Sequence, residues 1–165
     1  MRYDLPDEAA TLRLGGELAA CLRDRFQHDA CVYLRGDLGA GKTTLTRGIL
    51  RALGFQGAVK SPTYTLLEPY ELAACTVFHL DLYRLARADE LVFVGLDETL
   101  DLPGIKLIEW PERGEGFLPP ADIDVWLELA GAGERERERE REKETEREGI
   151  ETGRVANIDV RGPRG

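Results

Sequence analysis

The chain has little that would staple it shut, anchor it in a bilayer or make it a general nucleic-acid binder. Its three cysteines, Cys21, Cys31 and Cys75, are odd in number, widely spaced and form no C-x-x-C pair. That argues against a disulfide framework and a thiolate zinc site, and leaves each as a small core residue among apolar neighbours. No apolar run approaches the roughly 18 to 20 residues that a membrane-spanning helix needs. The opening residues MRYDLPDE lack the apolar centre of a signal peptide, so the expectation is a cytoplasmic chain with no membrane association. Positive charge is in deficit: 22 Lys and Arg against 31 Asp and Glu leave a net charge of −9. This argues against a large basic face gripping nucleic acid alone, while a local basic patch or a nucleic acid held by a partner stays open. Asn157 is the only asparagine, so the N-K-x-D motif of guanine recognition is absent.

What is present is one segment with a definite chemistry. At 165 residues and 42% hydrophobic content, residues 1–165 are expected to form a single domain with a true core. Within it, Gly36-Asp37-Leu38-Gly39-Ala40-Gly41-Lys42-Thr43 matches the phosphate-binding pattern G-x-x-x-x-G-K-[ST] at every fixed position. An apolar run at 31–34 leads in as a short buried strand, and a helix-compatible stretch at 43–53, stopped by Gly54, leads out. Glycines let the backbone wrap a phosphate, and the helix N-terminus adds a partial positive charge. The candidate ATP contacts are Asp37, Leu38, Gly39, Ala40, Gly41, Lys42, Thr43 and Thr44. Lys42 serves the terminal phosphates, and the Thr43 hydroxyl serves Mg²⁺.

The remainder reads as strands mixed with helices. Residues 7–25 have helical apolar spacing, although the Gly15-Gly16 pair weighs against a helix there. Residues 63–67 and 76–83 are rich in β-formers and read as strands, 89–100 as a helix, and 105–110 as a short buried strand. Residues 122–129 alternate acidic with apolar, which predicts a half-buried antiparallel strand, and 155–160 is a candidate to pair with it. The fold class is α/β: a P-loop NTPase-like three-layer sandwich with a mixed, partly parallel central sheet. From 134 to 148 Glu alternates with Arg or Lys. Nothing there can bury apolar surface, so it reads as a solvated insertion, disordered or loosely helical, with an interaction tail as the alternative.

A phosphate loop needs a carboxylate to organise Mg²⁺ and a group to orient water. Asp81 and Glu109 each end an apolar strand, where ligands of α/β sheets bind. Asp81 is assigned to Mg²⁺ and its waters and Glu109 to the attacking water, which makes both metal-associated; the two roles are exchangeable on this reading. Lys42, Asp81 and Glu109 form the catalytic set. Ser61-Pro62-Thr63-Tyr64-Thr65 offers hydroxyls on a proline turn near the loop, suited to sensing the γ-phosphate through Mg²⁺, with Thr63 as its candidate contact. Trp110 fits beside the nucleotide or a partner, or in the core. His79 reads as structural. Asp101 opens a D-x-x-G match but, without N-K-x-D, reads as a turn residue, which favours ATP over GTP.

Four motifs, LRGDLGAGKTT at 34–44, SPTYTL at 61–66, HLDLYRL at 79–85 and LIEWPE at 107–112, follow the order and approximate spacing of the bacterial TsaE family. The resemblance covers about 3–129, including an N-terminal helix at 7–22. It implies a small P-loop ATPase needed for making threonylcarbamoyladenosine next to the anticodon of tRNA. It also implies that the ATPase works with a TsaD–TsaB heterodimer that holds the tRNA. In that family a separate enzyme makes the activated donor, ATP binding promotes assembly and hydrolysis resets the complex. By the same resemblance Lys42 and Thr43 are the phosphate and Mg²⁺ ligands, Thr63 lies in a switch segment, Asp81 is the metal-associated aspartate and Glu109-Trp110 an acidic–aromatic pair. The 134–148 run is not a family feature. Two other classes use the same loop: a small-molecule kinase, for which Arg84 and Arg87 are poor lid candidates, and a nucleotide-dependent binding module with negligible hydrolysis.

Overall fold

The computed structural model describes residues 1–93, 95–130 and 153–162. In chain order the elements are β1 (Arg2–Leu5), α1 (Glu8–Phe26), β2 (Ala30–Arg35), α2 (Lys42–Ala52), β3 (Leu67–Glu71), β4 (Thr76–Asp81), α3 (Glu90–Phe93), α4 (Leu96–Asp101), β5 (Ile105–Glu109), β6 (Ile123–Leu129) and β7 (Arg154–Val160), with a 3-10 turn over Pro111–Gly114. The seven strands form one sheet in the order β1-β7-β6-β2-β5-β4-β3. Its centre, β6-β2-β5-β4, is parallel. The flanking strands β7, β1 and β3 join antiparallel.

The period of two along each strand divides the core between the two faces of the sheet. Val77 of β4 and Leu107 of β5 pack with Leu14, Leu18, Leu45 and Ile49 of α1 and α2. Leu80 and Ile108, on the opposite faces of the same strands, pack with Leu82, Leu91, Leu96 and Leu100. The result is the three-layer α/β arrangement expected from the sequence.

Helix α1 begins where Asp7 caps it, its carboxylate accepting from the Ala10 amide at 2.6 Å. Gly15 does not break it. A Cβ at Gly15 would stand 2.7 Å from backbone atoms of Gly48, and one at Gly48 would stand 2.7 Å from the Leu12 carbonyl oxygen. The two helices therefore cross backbone against backbone, which only glycine permits at both positions.

Four expectations change. The strand expected at 63–67 is a turn, and β3 starts only at Leu67. Leu66 takes a left-handed conformation (φ 64°), its amide donates to the Pro62 carbonyl at 2.7 Å, and the Ser61 and Thr63 hydroxyls are drawn to a side chain rather than along a ladder. The helix expected at 89–100 is two short helices, broken where Gly95 turns left-handed (φ 71°). Strand β6 is antiparallel to β7, as its pattern suggests, but parallel to β2 on its other side. Strand β1, four residues long, was not foreseen. The 134–148 run lies outside the described residues.

Candidate functional site

The parallel centre of the sheet gathers three chain segments at one edge. β2 runs into the phosphate loop, and α2 starts at Lys42 immediately after it. Leu34 and Asp81 are both register partners of Glu109, so the ends of β4 and β5 stand beside the loop. The segments bound a cavity of about 320 Å³, lined among others by Gly39, Gly41, Lys42, Thr43 and Thr44 of the loop and α2, Ser61 and Thr63 of the turn, and Asp81, Glu109 and Trp110 of the strand ends.

Lys42 is nearly buried, at 5% exposure. Its ammonium donates to the carbonyls of Gly36 at 2.6 Å and Asp37 at 2.8 Å, and lies 4.1 Å from the centre of the Trp110 ring. An ammonium has three donors, so one remains for an anion in the cavity. Burial lowers the Lys42 pKa below that of an ordinary lysine, and the carboxylates of Glu109, Asp81, Glu112 and Asp37 pull it partly back. Trp110 itself is held left-handed (φ 58°) at the head of the 3-10 turn. Such a conformation in a bulky residue is costly and is typical of a position fixed by its surroundings.

The two strand-end acids are held differently. Glu109, 3% exposed, accepts at Oε1 from the Thr43 hydroxyl at 2.9 Å, and the same oxygen lies 2.8 Å from His79 Nε2. His79 is fully buried and its Nδ1 has no hydrogen-bond partner among the described residues, so the Nε2–H tautomer donates to Glu109. Asp81 is the anchor of the 61–63 turn: the hydroxyls of Ser61 and Thr63 both reach Oδ2, and Oδ1 accepts from the Tyr83 amide at 3.0 Å. The Tyr83 ring leans on Trp110 with centroids 5.0 Å apart.

Most of the residues picked out from the sequence thus meet at one cavity. Of the others, the Asp37 carbonyl holds Lys42, Ala40 is buried in the core at 1% exposure, and Leu38, also lining the cavity, stands 73% exposed at its rim. Asp101 ends α4 and is not among the lining residues. Arg87 pairs with Asp89 at 2.8 Å and Arg84 sits over the Tyr64 ring at 4.2 Å. Sequence reasoning missed three contributors. Tyr83 and Arg154 line the cavity, and His79, read as structural, touches Glu109. His79 was within reach of a period-two argument, since 79 and 81 share a face of β4. Nothing local marks Arg154, which arrives on β7, far along the chain from the phosphate loop.

A glycine-rich loop at a helix N-terminus, a buried lysine with a donor to spare and a hydroxyl beside a carboxylate are groups that a nucleoside triphosphate with Mg²⁺ requires, so the residues present fit both. Among the described residues no three His, Cys, Asp or Glu side chains gather as a metal cage. Mg²⁺ in such sites is shared with phosphate and water rather than caged by protein.

The model of the family described as threonylcarbamoyl adenosine biosynthesis protein TsaE matches residues 5–140. The chain is 53% identical over 120 residues to the tRNA threonylcarbamoyladenosine biosynthesis protein TsaE of Haemophilus influenzae, covering 72% of this chain and 76% of that one. It is 40% identical over 119 residues to the protein of the same name from Synechocystis, covering 68% and 71%. Its fold is similar to a crystal structure of YdiB from Bacillus subtilis, with a TM-score of 0.68 at 24% identity over 97% of this chain and 85% of that one; that likeness speaks to the fold alone. With the family model matched over residues 5–140, a range that holds the phosphate loop, the 61–66 turn and both strand-end acids, the chain belongs to the TsaE family.

Proposed function

We propose that this chain is an ATP-binding and ATP-hydrolysing subunit that serves the threonylcarbamoyladenosine modification of tRNA. ATP is its substrate, Mg²⁺ its metal, and a TsaD–TsaB heterodimer its partner in the cytoplasm; tRNA reaches it only through that partner. Family membership supports the pathway, and one observation supports the chemistry: the Thr43 hydroxyl, 2.9 Å from Glu109, joins the phosphate loop to an acid in the same cavity.

Each residue has a task on this reading. The amides of the loop and the Lys42 ammonium hold the phosphates, and the Thr43 hydroxyl binds the metal. Mg²⁺ held there would supply charge neutralisation to the phosphates. Glu109 orients the attacking water, and His79 fixes the rotamer of that carboxylate through the bond to Oε1. Asp81 holds the metal's waters while gripping Ser61 and Thr63, so the turn senses the γ-phosphate. The Trp110 ring shields Lys42 from bulk water.

Mixing the chain with purified TsaD–TsaB tests the proposal. Mg·ATP should promote co-elution, and the complex should hydrolyse ATP faster than the chain alone. A complex that forms and modifies tRNA equally well without ATP would refute it.

A further inference from the structure

Arg154, the first residue of β7, lines the cavity although it lies far along the chain from the phosphate loop and beyond the residues matched by the family model. It is pinned by both neighbouring strands, paired in register with Leu129 of β6 and Leu5 of β1. Its Cδ and Nε lie 3.2 Å from the place a Cβ of Gly41 would occupy. The bare backbone of Gly41 therefore makes room for this side chain directly beneath the phosphate loop.

The electrostatic state of Arg154 is unusual for this molecule. Its Nε is buried and has no hydrogen-bond partner among the described residues. Three other partly sheltered cations among the described residues have acids, Arg35 with Asp124 at 2.8 Å, Arg47 with Glu8 at 2.8 Å and Lys106 with Asp29 at 3.2 Å, whereas Lys42 is held by two carbonyls. A guanidinium cannot discharge itself by losing a proton. A buried Nε–H without an acceptor is costly to hold, and that cost is recovered when an anion arrives. The neighbouring groups of the loop are amide donors and Lys42, which favour an anion of the phosphate kind, and the planar fork of arginine matches two phosphate oxygens.

Resting on the reading of this cavity as a nucleotide site, we propose that Arg154 contacts the phosphate chain of the bound nucleotide, a second cation delivered by the C-terminal strand to complement Lys42. β7 thereby couples phosphate occupancy to the antiparallel edge of the sheet.

The test compares wild type, Arg154→Gln and Arg154→Lys by calorimetry with Mg·ATP and by thermal melting without nucleotide. Arg154→Gln should weaken Mg·ATP binding about tenfold or more, the scale of a lost charge-assisted contact. Its nucleotide-free melting temperature should equal or exceed that of wild type, because a buried Nε–H without an acceptor is gone. Arg154→Lys, which keeps the charge but not the fork, should fall between the two. Wild-type affinity in Arg154→Gln overturns the inference, and so does a binding loss that comes with a lower melting temperature, the mark of a structural role. If Arg154→Gln does not fold, Arg154→Lys decides: weaker binding supports the contact and unchanged binding overturns it. A wild-type chain that binds no Mg·ATP overturns the nucleotide reading and this inference together, whereas binding by wild type and variants alike overturns this inference alone.

Discussion

The Thr43 hydroxyl and Glu109 Oε1 stand 2.9 Å apart, although one lies in the first turn of α2 and the other ends β5. The contact exists because β2 and β5 are parallel neighbours with Leu34 opposite Glu109. Parallel pairing brings both C-terminal strand ends to one edge, and the loop that follows β2 folds over that edge.

Glu109→Gln should separate binding from turnover. The amide keeps the size of the carboxylate and can still accept from Thr43, so the affinity for Mg·ATP should change only a few-fold. Orienting and deprotonating water needs the anion, and ATP hydrolysis in the complex with TsaD–TsaB should fall by roughly 10² to 10⁴-fold. Single-turnover kinetics check this, and hydrolysis at the wild-type rate sets aside the water-orienting role.

Asp81→Asn should loosen the switch turn. The carboxylate accepts from the Ser61 and Thr63 hydroxyls and the Tyr83 amide. An amide offers one acceptor oxygen in place of two. Amide hydrogen exchange around 61–66 should speed up without nucleotide, and Mg²⁺ should strengthen ATP binding less than it does in wild type. Unchanged exchange in that segment contradicts the anchoring role.

Gly48→Ala should destabilise the protein. In an open helix the change would stabilise by about 1 kcal/mol through propensity. Here the new Cβ meets the Leu12 carbonyl oxygen at 2.7 Å and Gly15 at 3.2 Å. Forced overpacking costs about 1 to 3 kcal/mol and acts on backbone that cannot rotate away, so the net sign is a loss. A melting temperature lower by a few degrees is the expected readout; a rise would mean that the helices separate without penalty.

What could be read from the sequence depended on whether the determinant was local. The phosphate loop was legible because its backbone path demands particular residues at fixed spacing. Asp81 and Glu109 were legible because acids ending apolar strands are marked by position. The turn at 61–66 misled because Thr63, Tyr64 and Thr65 have β propensity, while the hydroxyls are claimed by Asp81 from a distant strand. The helix expected at 89–100 breaks at Gly95, whose left-handed backbone (φ 71°) ends the regular helical path. Arg154 and β1 had no local mark. Both owe their places to strand order, with β7 inserted between β1 and β6, which period and propensity do not encode.

On the proposed function, one Mg·ATP occupies the cavity between the loop, Asp81 and Glu109. Calorimetric titration of the folded chain with Mg·ATP, alone and with TsaD–TsaB, should then give saturable heat at one nucleotide per chain that disappears in Lys42→Ala. No heat from the wild-type chain in either setting, or equal heat from Lys42→Ala, would contradict it.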